Sequence, residues 1–575
     1  MKAKKGMAII LSMVLAAGIL PGYGSDNGTA NADTLATGES GAETTAAETS
    51  DTETGKDAGE SGYAAGEWRT YDEPITITFG DAYDVNGDER FTNMAAIGEP
   101  YDDNRWTRYF AEDVGVNCEY SLLSATSTDY KTELTLAMAS GELPDIFYVP
   151  DMSTYQQLVD AGVVADLTDL YESEANDTLK RILTEEGNDF MGNYYIDGSL
   201  YTVPIKMPST NGYNYIYIRQ DWLDKLGLEV PTTLDEVKAV AEAFVTQDPD
   251  GNGEDDTIGL CLDTYYANFS ARGIFWAYGA AASNDYWMPM DDGSVGYGMV
   301  QEQAKDGLKW LNEMYNEGLI NQDFATLALG DQSKLIASNT CGMFYACHWY
   351  AMYINAVKDQ VPDAEWTVIL APGTDGNPAT VYANVDTNGM YCVNAQCEHP
   401  EALFALLNAY AEKLFGENND FENYFACEET SNLWQDSPVF LLQADVDLLP
   451  HRQMKEALAN GTLDELTGVG AAYWKYISDG SLTYQLEFGP EGSCFNLVDE
   501  TYPDIIVWNA YQGINTNTQS LRWSGMQEII DKAYLEMITG NYDDIDAAFD
   551  QMVNDWMNAG GTDVTQEVND IISAR

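Results

Sequence analysis

Residues 214–260 read NYIYIRQDWLDKLGLEVPTTLDEVKAVAEAFVTQDPDGNGEDDTIGL, and three signals follow one another along them. Tyr215, Tyr217 and Arg219 alternate with Ile216 and Ile218, the two-residue period of a strand. Thr233 and Glu236 have capping-box spacing, and Val237, Val240, Ala241 and Phe244 then recur on one helical face. Last comes an acidic loop, in which Asp248, Asp250, Asn252, Glu254 and Asp256 take alternate positions around Gly251 and Gly253. A hard cation takes roughly six to eight oxygens, and alternate residues of a tight loop can aim theirs at one point. Glu254 would give its backbone carbonyl and Thr257 a hydroxyl. Gly253 stands at the turn glycine of an EF-hand loop, but Gly259 replaces the closing bidentate Glu. The spacing points to a structural Ca2+ rather than a regulatory one; a plain solvated turn is the bland alternative.

Composition sets the class. The chain has 575 residues, 45% of them hydrophobic, enough for two or more large lobes with packed cores. It carries 94 acids against 27 bases, a formal net charge of −67. That argues against nucleic acid and against anionic membrane surfaces, both of which select basic patches. Only three histidines occur, His348, His399 and His451, which speaks against a His-based triad or a zinc site. The eight cysteines show no metal spacing, and both disulfide pairing and free thiols stay open.

The N-terminus has the form of an export signal. Lys2, Lys4 and Lys5 precede an apolar run from Met7 to Leu20, too short for a stable membrane span. The LPGYGSDNG that follows is similar to a lipoprotein cleavage box, with Tyr23 where the lipidated cysteine would stand. Residues 1–24 are therefore assigned to the signal. Residues 25–66, rich in Thr, Ala, Glu, Gly and Ser, are expected to form a disordered tether. The folded part starts near Trp68. Strands are expected at Ile75–Phe79, Val116–Leu122, Asp145–Val149, Tyr201–Pro204 and Trp366–Leu370, with helices at 104–115 and Tyr130–Ala139. This alternation predicts a mostly parallel α/β sheet. The last third is helix-rich, with Ile545, Phe549, Met552 and Trp556 on one face before Gly560 and Gly561.

Several motifs together resemble family-1 extracellular solute-binding proteins of bacterial ABC importers, the large carbohydrate-binding kind. They are Gly141-Glu142-Leu143-Pro144-Asp145-Ile146, Tyr201-Thr202-Val203-Pro204, the RQDWLDKLGL run from Arg219 with Pro231-Thr232-Thr233, the DPDGNGEDDTIGL loop, and GGTDVTQEVNDII from Gly560. The resemblance implies an α/β, periplasmic-binding-protein-like fold of two discontinuous lobes on a hinge, closing on ligand as a likely monomer that delivers it to ABC permease subunits. Crossings are expected near 210–215, 325–345 and 385–392. Residues 67–213 plus 330–387 would form the first lobe, and 214–329 plus 388–575 the second.

Sugars offer apolar faces edged with hydroxyls, so their sites combine Trp and Tyr with polar side chains. The candidates are Trp276, Tyr278, Trp287, Tyr345, Trp349, Tyr350, Trp434, Trp474, Trp508 and Tyr511, with Asp145 and Asn104 as polar members. Trp523 and Trp106 stand behind them, and Trp222 and Trp310 are assigned to packing. For any one aromatic, burial in the core is the better expectation. Asp84 to Asp88 is read as a turn rather than a second cation site. The acidic balance favours a neutral oligosaccharide, unless Arg219 or Arg272 forms a local basic pocket. A secreted glycoside hydrolase is the rival reading, since any two of so many acids could form a catalytic pair. A calcium-dependent adhesin would need repeats and an all-β pattern, and the sequence has neither.

Overall fold

The computed structural model describes residues 63–82, 97–187, 189–328, 331–425, 433–540, 542 and 544–575. The expected signal, most of the expected tether and the Asp84–Asp88 turn lie outside these residues. Among the described residues no helix is long and apolar enough to cross a membrane.

Two sheets organise the chain. The first has the strand order Val116–Ser124, Ile75–Ala82, Ile146–Val149, Thr387–Val393, Thr202–Lys206. Its first three strands are parallel, and Thr387–Val393 runs against both of its neighbours. The second has the order Trp366–Leu370, Tyr215–Arg219, Cys341–Ala346, Ile258–Cys261. Here Tyr215–Arg219 runs antiparallel to both neighbours, while Cys341–Ala346 and Ile258–Cys261 are parallel. The fold is α/β with two sheets in two lobes, as the family resemblance implies, but both sheets are mixed rather than mostly parallel as the strand and helix spacing suggested.

Every residue of Tyr215–Arg219 is buried, on both faces of the sheet. The simple alternation of that segment suggested one dry face. It is instead a central strand with elements packed on each side, and such strands are apolar throughout. The following helix, Leu234–Thr246, starts where Thr233 Oγ1 accepts the Glu236 N–H at 3.2 Å. The Glu236 carboxylate reaches back one residue further than a capping box requires, to the N–H of Thr232 at 2.7 Å.

The two cores show where the chain changes lobe. One core gathers residues from 77–205 and 385–446, with Val469 added; the other gathers residues from 213–383 and 448–568. The chain therefore crosses three times, near 206–212, 384 and 447. Two crossings fall close to those expected, but there is none at 325–345. Residues 330–387 belong largely to the second lobe, because Cys341–Ala346 and Trp366–Leu370 both pair with Tyr215–Arg219. Residues 388–446 return to the first lobe, where helix Ala402–Phe415 buries Leu403, Phe404, Leu406, Leu407 and Tyr410.

The crossings are stitched to one another. Met207 N–H donates to Asp386 O at 2.9 Å, Thr210 N–H to Ala444 O at 3.3 Å, and Leu442 N–H to Lys206 O at 2.8 Å. Gly212 permits the closest approach, since a Cβ there would lie 2.6 Å from Ala383 Cβ.

Candidate functional site

The hinge defines two ends of each sheet. Tyr215 begins its strand opposite Leu370 and Ala346, where the neighbouring strands end. At this hinge edge the second sheet presents Asn214, Asp263, the His348–Tyr350 turn and the segment after Leu370. In the first sheet Lys206 pairs with Thr387 at the matching edge, where Ala82 and Ser124 also end their strands. In a hinged two-lobed fold ligand is held between such edges, with the crossing segments as the floor.

The floor is polar and largely bonded. Lys206 is fully buried, with Nζ 2.6 Å from Glu185 Oε1, 2.6 Å from Glu186 Oε1 and donating to Ile182 O. Ser209 Oγ donates to Glu186, and Ala444 N–H donates to Glu185, so one cation and two carboxylates hold the first and third crossings together. Gln512 clamps the second crossing, accepting from Val385 N–H at 2.9 Å and donating to Val385 O at 3.0 Å. Its own N–H donates to Asn193 Oδ1 of the first lobe at 3.1 Å, and Arg575 donates to the same oxygen at 2.9 Å. On the other flank Thr467 Oγ1 donates to Glu422 Oε1 at 2.7 Å.

Several hinge-edge groups lack protein partners. Arg272 donates from Nη2 to Gly212 O at 3.1 Å and lies 4.8 Å over the Trp276 ring, yet its Nε has no protein acceptor. Burial holds its guanidinium below the usual arginine range. Asp263 Oδ1 accepts from Ser270 Oγ and Tyr265 N–H at 2.9 Å each, while Oδ2 has no protein donor. Burial pushes its carboxyl up to about 6.

Four of the aromatic candidates keep accessible surface. Trp349 lies in the turn that ends Cys341–Ala346, its ring 5.8 Å from Phe269 and 4.6 Å from Tyr350. Trp508 ends the short strand Ile506–Trp508, which pairs with Val381–Ala383 at the second crossing, and it packs against both cores. Tyr278 caps helix Arg272–Ala277, and Trp474 lies on helix Gly468–Ser478. Exposed Tyr265 follows Asp263 at the hinge edge and escaped the sequence reading, because nothing local separates it from buried Tyr266.

The remaining candidates are corrected by burial. Trp276, Trp287, Tyr345, Tyr350, Trp434 and Tyr511 belong to the cores. Trp287 packs among Tyr297, Tyr511 and the half-buried Trp523, and Trp434 lies against Phe425 and Phe440. Asn104 is a helix cap. Its Oδ1 accepts from Trp106 and Thr107 N–H, and its Nδ2 donates to Asp436 O. Trp106 is buried on Tyr410 and donates to Leu433 O. Asp145 bonds the N–H and hydroxyl of Thr78 across the first sheet. Arg219 sits at the opposite edge, bonded to Asp221 and Asn339, and makes no pocket. Trp222 and Trp310 are buried as expected.

The acidic loop lies at that same far edge, before Ile258, which opens its strand beside Cys341. Gly251 and Gly253 both take positive φ, as the turn needs. Among the described residues no set of three or more His, Cys, Asp or Glu side chains is gathered in metal-binding geometry. The loop's acids instead bond Asn252, whose Nδ2 donates to Asp250 at 2.7 Å and to Asp256 at 3.0 Å. Asp248 and Asp250 share a hydrogen bond. Desolvation, that bond and the charges of Asp256 and Asp248 push the Asp250 carboxyl up. Crowded carboxylates of this kind suit a divalent cation. The Thr257 hydroxyl is buried and donates to Phe244 O of the preceding helix at 2.7 Å. The seven described cysteines are free thiols.

Two lobes, three crossings and a polar floor define a hinged binding protein. The family model for bacterial extracellular solute-binding proteins matches residues 89–413 of the 575, and the chain belongs to that family. The chain is 25% identical over 472 residues to the polygalacturonan/rhamnogalacturonan-binding protein YtcQ of Bacillus subtilis, covering 78% of this chain and 85% of that one. It is 28% identical over 221 residues to the fructooligosaccharide ABC transporter substrate-binding protein FusA of Streptococcus pneumoniae, 37% and 40% of the two chains. The structure of FusA in complex with kestose superposes with TM-score 0.55 at 18% identity, over 87% of this chain and 99% of that one. Alginate-binding protein AlgQ2, solved without calcium ion, gives TM-score 0.56 at 17% identity over 88% and 99%. These superpositions show the fold. Both family and relatives are binding proteins, which removes the hydrolase reading.

Proposed function

We propose that this protein binds a neutral oligosaccharide between its lobes and presents the closed form to ABC permease subunits as a monomer. One observation carries the reading: Trp349, in the turn that ends Cys341–Ala346 at the hinge edge, and Trp508, at the second crossing, both keep part of their surface, and Arg272 of the same lobe has an Nε–H without a protein acceptor. Flat apolar rings beside polar hydrogen-bonding groups suit a sugar. YtcQ, a polygalacturonan/rhamnogalacturonan-binding protein, and FusA, a fructooligosaccharide-binding one, support a carbohydrate. The choice of a neutral sugar comes from the floor. Asp285, Asp386, Asp447 and Glu487 stand near it, whereas a polyuronate of the kind YtcQ is named for would need a surplus of bases. Tyr278, Trp474 and Tyr265 are further contact candidates.

The acidic loop would hold Ca2+ through Asp248, Asp250, Asn252, Asp256 and the Glu254 carbonyl, as a brace far from the ligand. An EF-hand mutant of FusA and a calcium-free form of AlgQ2, both similar in fold to this chain, support this reading. Residues 1–66 would supply export and a tether at the outer face of the cell membrane.

A melting-temperature screen against neutral oligosaccharides and oligogalacturonides tests the proposal. Neutral members should raise the melting temperature, and overnight incubation should release no shorter sugars. A shift with uronides alone, or with no sugar, would sink it.

A further inference from the structure

His348 lies directly after strand Cys341–Ala346, where the second lobe meets the first crossing. Its ring stands between two hydrogen-bond acceptors. Nδ1 is 2.7 Å from Glu487 Oε1, and Nε2 is 2.9 Å from Asn211 Oδ1. A neutral imidazole has one N–H and one lone pair, so it can satisfy only one of them; the imidazolium satisfies both. Turning the Asn211 amide round would not help. Its Nδ2 is directed at Asp386 Oδ2, 3.5 Å away, and a reversed amide would set oxygen against that carboxylate.

We infer that His348 is held as the imidazolium and is a proton-controlled pin of the hinge, joining the second lobe to the first crossing while its second proton stays on. Through Asn211 the contact extends to Asp386 on the second crossing, and Asp447 faces it from the third. All three crossings thus converge on one ring.

The surroundings fit this assignment. Glu487 comes from helix Leu482–Phe488, and Phe495 of helix Cys494–Thr501 covers the ring at 4.9 Å. Tyr217 OH donates to the carbonyls of Cys347 and His348, fixing the turn. The thiols of Cys347 and Cys494 are pushed well up by burial and stay neutral. The positive neighbour is Arg272, which faces Cys347. Desolvation alone would lower the ring's pKa, but Glu487 and then Asp447 outweigh it and raise it. Asp447 is itself pushed up to about 6 by burial, so it is ionised at neutral pH and faces the charged ring. A ring whose folded pKa is raised contributes below its unfolded pKa, and that contribution is lost as pH rises through the folded value. The hinge should therefore loosen on the alkaline side. The inference concerns the hinge, not the ligand, so ligand-free protein suffices to test it.

The three histidines make the ring state directly readable by nitrogen-15 resonances of histidine-labelled protein. At pH 6.5, where an ordinary imidazole is half titrated, both His348 nitrogens should still carry protons, and the ring should titrate above that ordinary value. In parallel, spin labels at Leu136→Cys and Leu521→Cys, positions 63% and 73% exposed on opposite lobes, report the distance between lobes. That distribution should broaden as pH passes the His348 transition and be independent of pH in His348→Gln. If His348→Gln fails to fold, Asn211→Ala serves in its place. It should lower the ring's transition by about one pH unit and abolish the broadening. A singly protonated His348 at pH 6.5, or the same broadening in either variant, overturns the inference.

Discussion

The two edges of the second-lobe sheet share four strands and treat their polar groups in opposite ways. At the far edge Arg219 is 1% exposed, with Nε and Nη2 on Asp221 at 2.8 and 2.7 Å and Nη1 on Asn339. Its guanidinium lies over Trp222 at 4.4 Å and Trp366 at 5.7 Å. At the hinge edge Arg272 has one backbone acceptor and one ring, Asp263 leaves an oxygen without a protein donor, and His348 stands between two acceptors. A buried polar group without its partner costs roughly 1–3 kcal/mol. The far edge bears that cost at one group, the Trp366 indole N–H, while its guanidinium is bonded at Nε, Nη1 and Nη2; the hinge edge bears it at its charged groups. A group left short of partners in the ligand-free chain can take them from a ligand or from the opposite lobe.

If the far edge is structural, its loss should be felt in stability and not in binding. Arg219→Leu leaves Asp221 and Asn339 without their donor, and because Asp221 is 26% exposed the loss should be about 2 kcal/mol, below that of a fully buried pair. Urea unfolding should show that loss, while ligand affinity in the intact fraction stays within about twofold. A stability change under about 1 kcal/mol would break the comparison at its strongest point.

The calcium reading sharpens the same edge. Chelation should lower the melting temperature, with a stability loss of about 2.7 kcal/mol if the ion is present at 100 times its Kd. Asp250→Asn with Asp256→Asn should produce that lower stability without chelator and remove any further response to it. Metal analysis of the purified protein checks the premise, and an unchanged melting curve with no co-purifying metal rejects it.

The sequence exposed these edges unevenly. Strand Trp366–Leu370 was legible to the residue because it alternates and is bounded by polar segments. Cys341–Ala346 is buried throughout, and nothing in its six residues says that it inserts between Tyr215–Arg219 and Ile258–Cys261. Partner choice is a tertiary fact, so the lobe assignment of residues 330–387 failed although strand Trp366–Leu370 was found; Cys341–Ala346 was not read as a strand at all. The aromatic candidates failed for a related reason. Trp349 and Tyr350 are neighbours with the same local pattern, yet one keeps a face to solvent and the other is fully buried. Histidine scarcity was read as an argument against catalysis. It also marked a lone His beside a crossing, a signal whose meaning needed the crossing to be located first.

At the hinge edge the order of effects should reverse. Arg272→Gln removes the charge and the Nη2 bond to Gly212 O but keeps a polar amide in place of the inner part of the side chain. Affinity for the sugar found by the melting screen should fall about tenfold, or about 1.4 kcal/mol. Unfolding stability should change by less than about 1 kcal/mol. A variant that binds normally but unfolds early would put Arg272 with Arg219, and the two edges would no longer differ in kind.

Asp263 gives the smallest effect and the clearest sign. Burial raises its folded carboxyl to about 6, against about 3.9 in an unfolded chain. The folded state thus holds this proton more tightly, and its contribution is greatest at low pH. That contribution is lost as pH rises from about 4 to about 6 and is constant above. Asp447 and Asp531 also lie at about 6 and act in the same window. Paired carboxylates with lowered values, such as Asp499 beside Arg452 and Lys455, act in the opposite sense. The difference between wild type and Asp263→Asn isolates the one group. Asparagine keeps an oxygen for the Tyr265 N–H and the Ser270 hydroxyl but cannot ionise. The variant should equal wild type near pH 4 and exceed it by about 1 kcal/mol at pH 7, the two-unit shift discounted for relaxation around the site. Equal stabilities at both pH values would mean that the free oxygen finds a donor in solution, and that the hinge edge is better satisfied than its protein contacts alone imply.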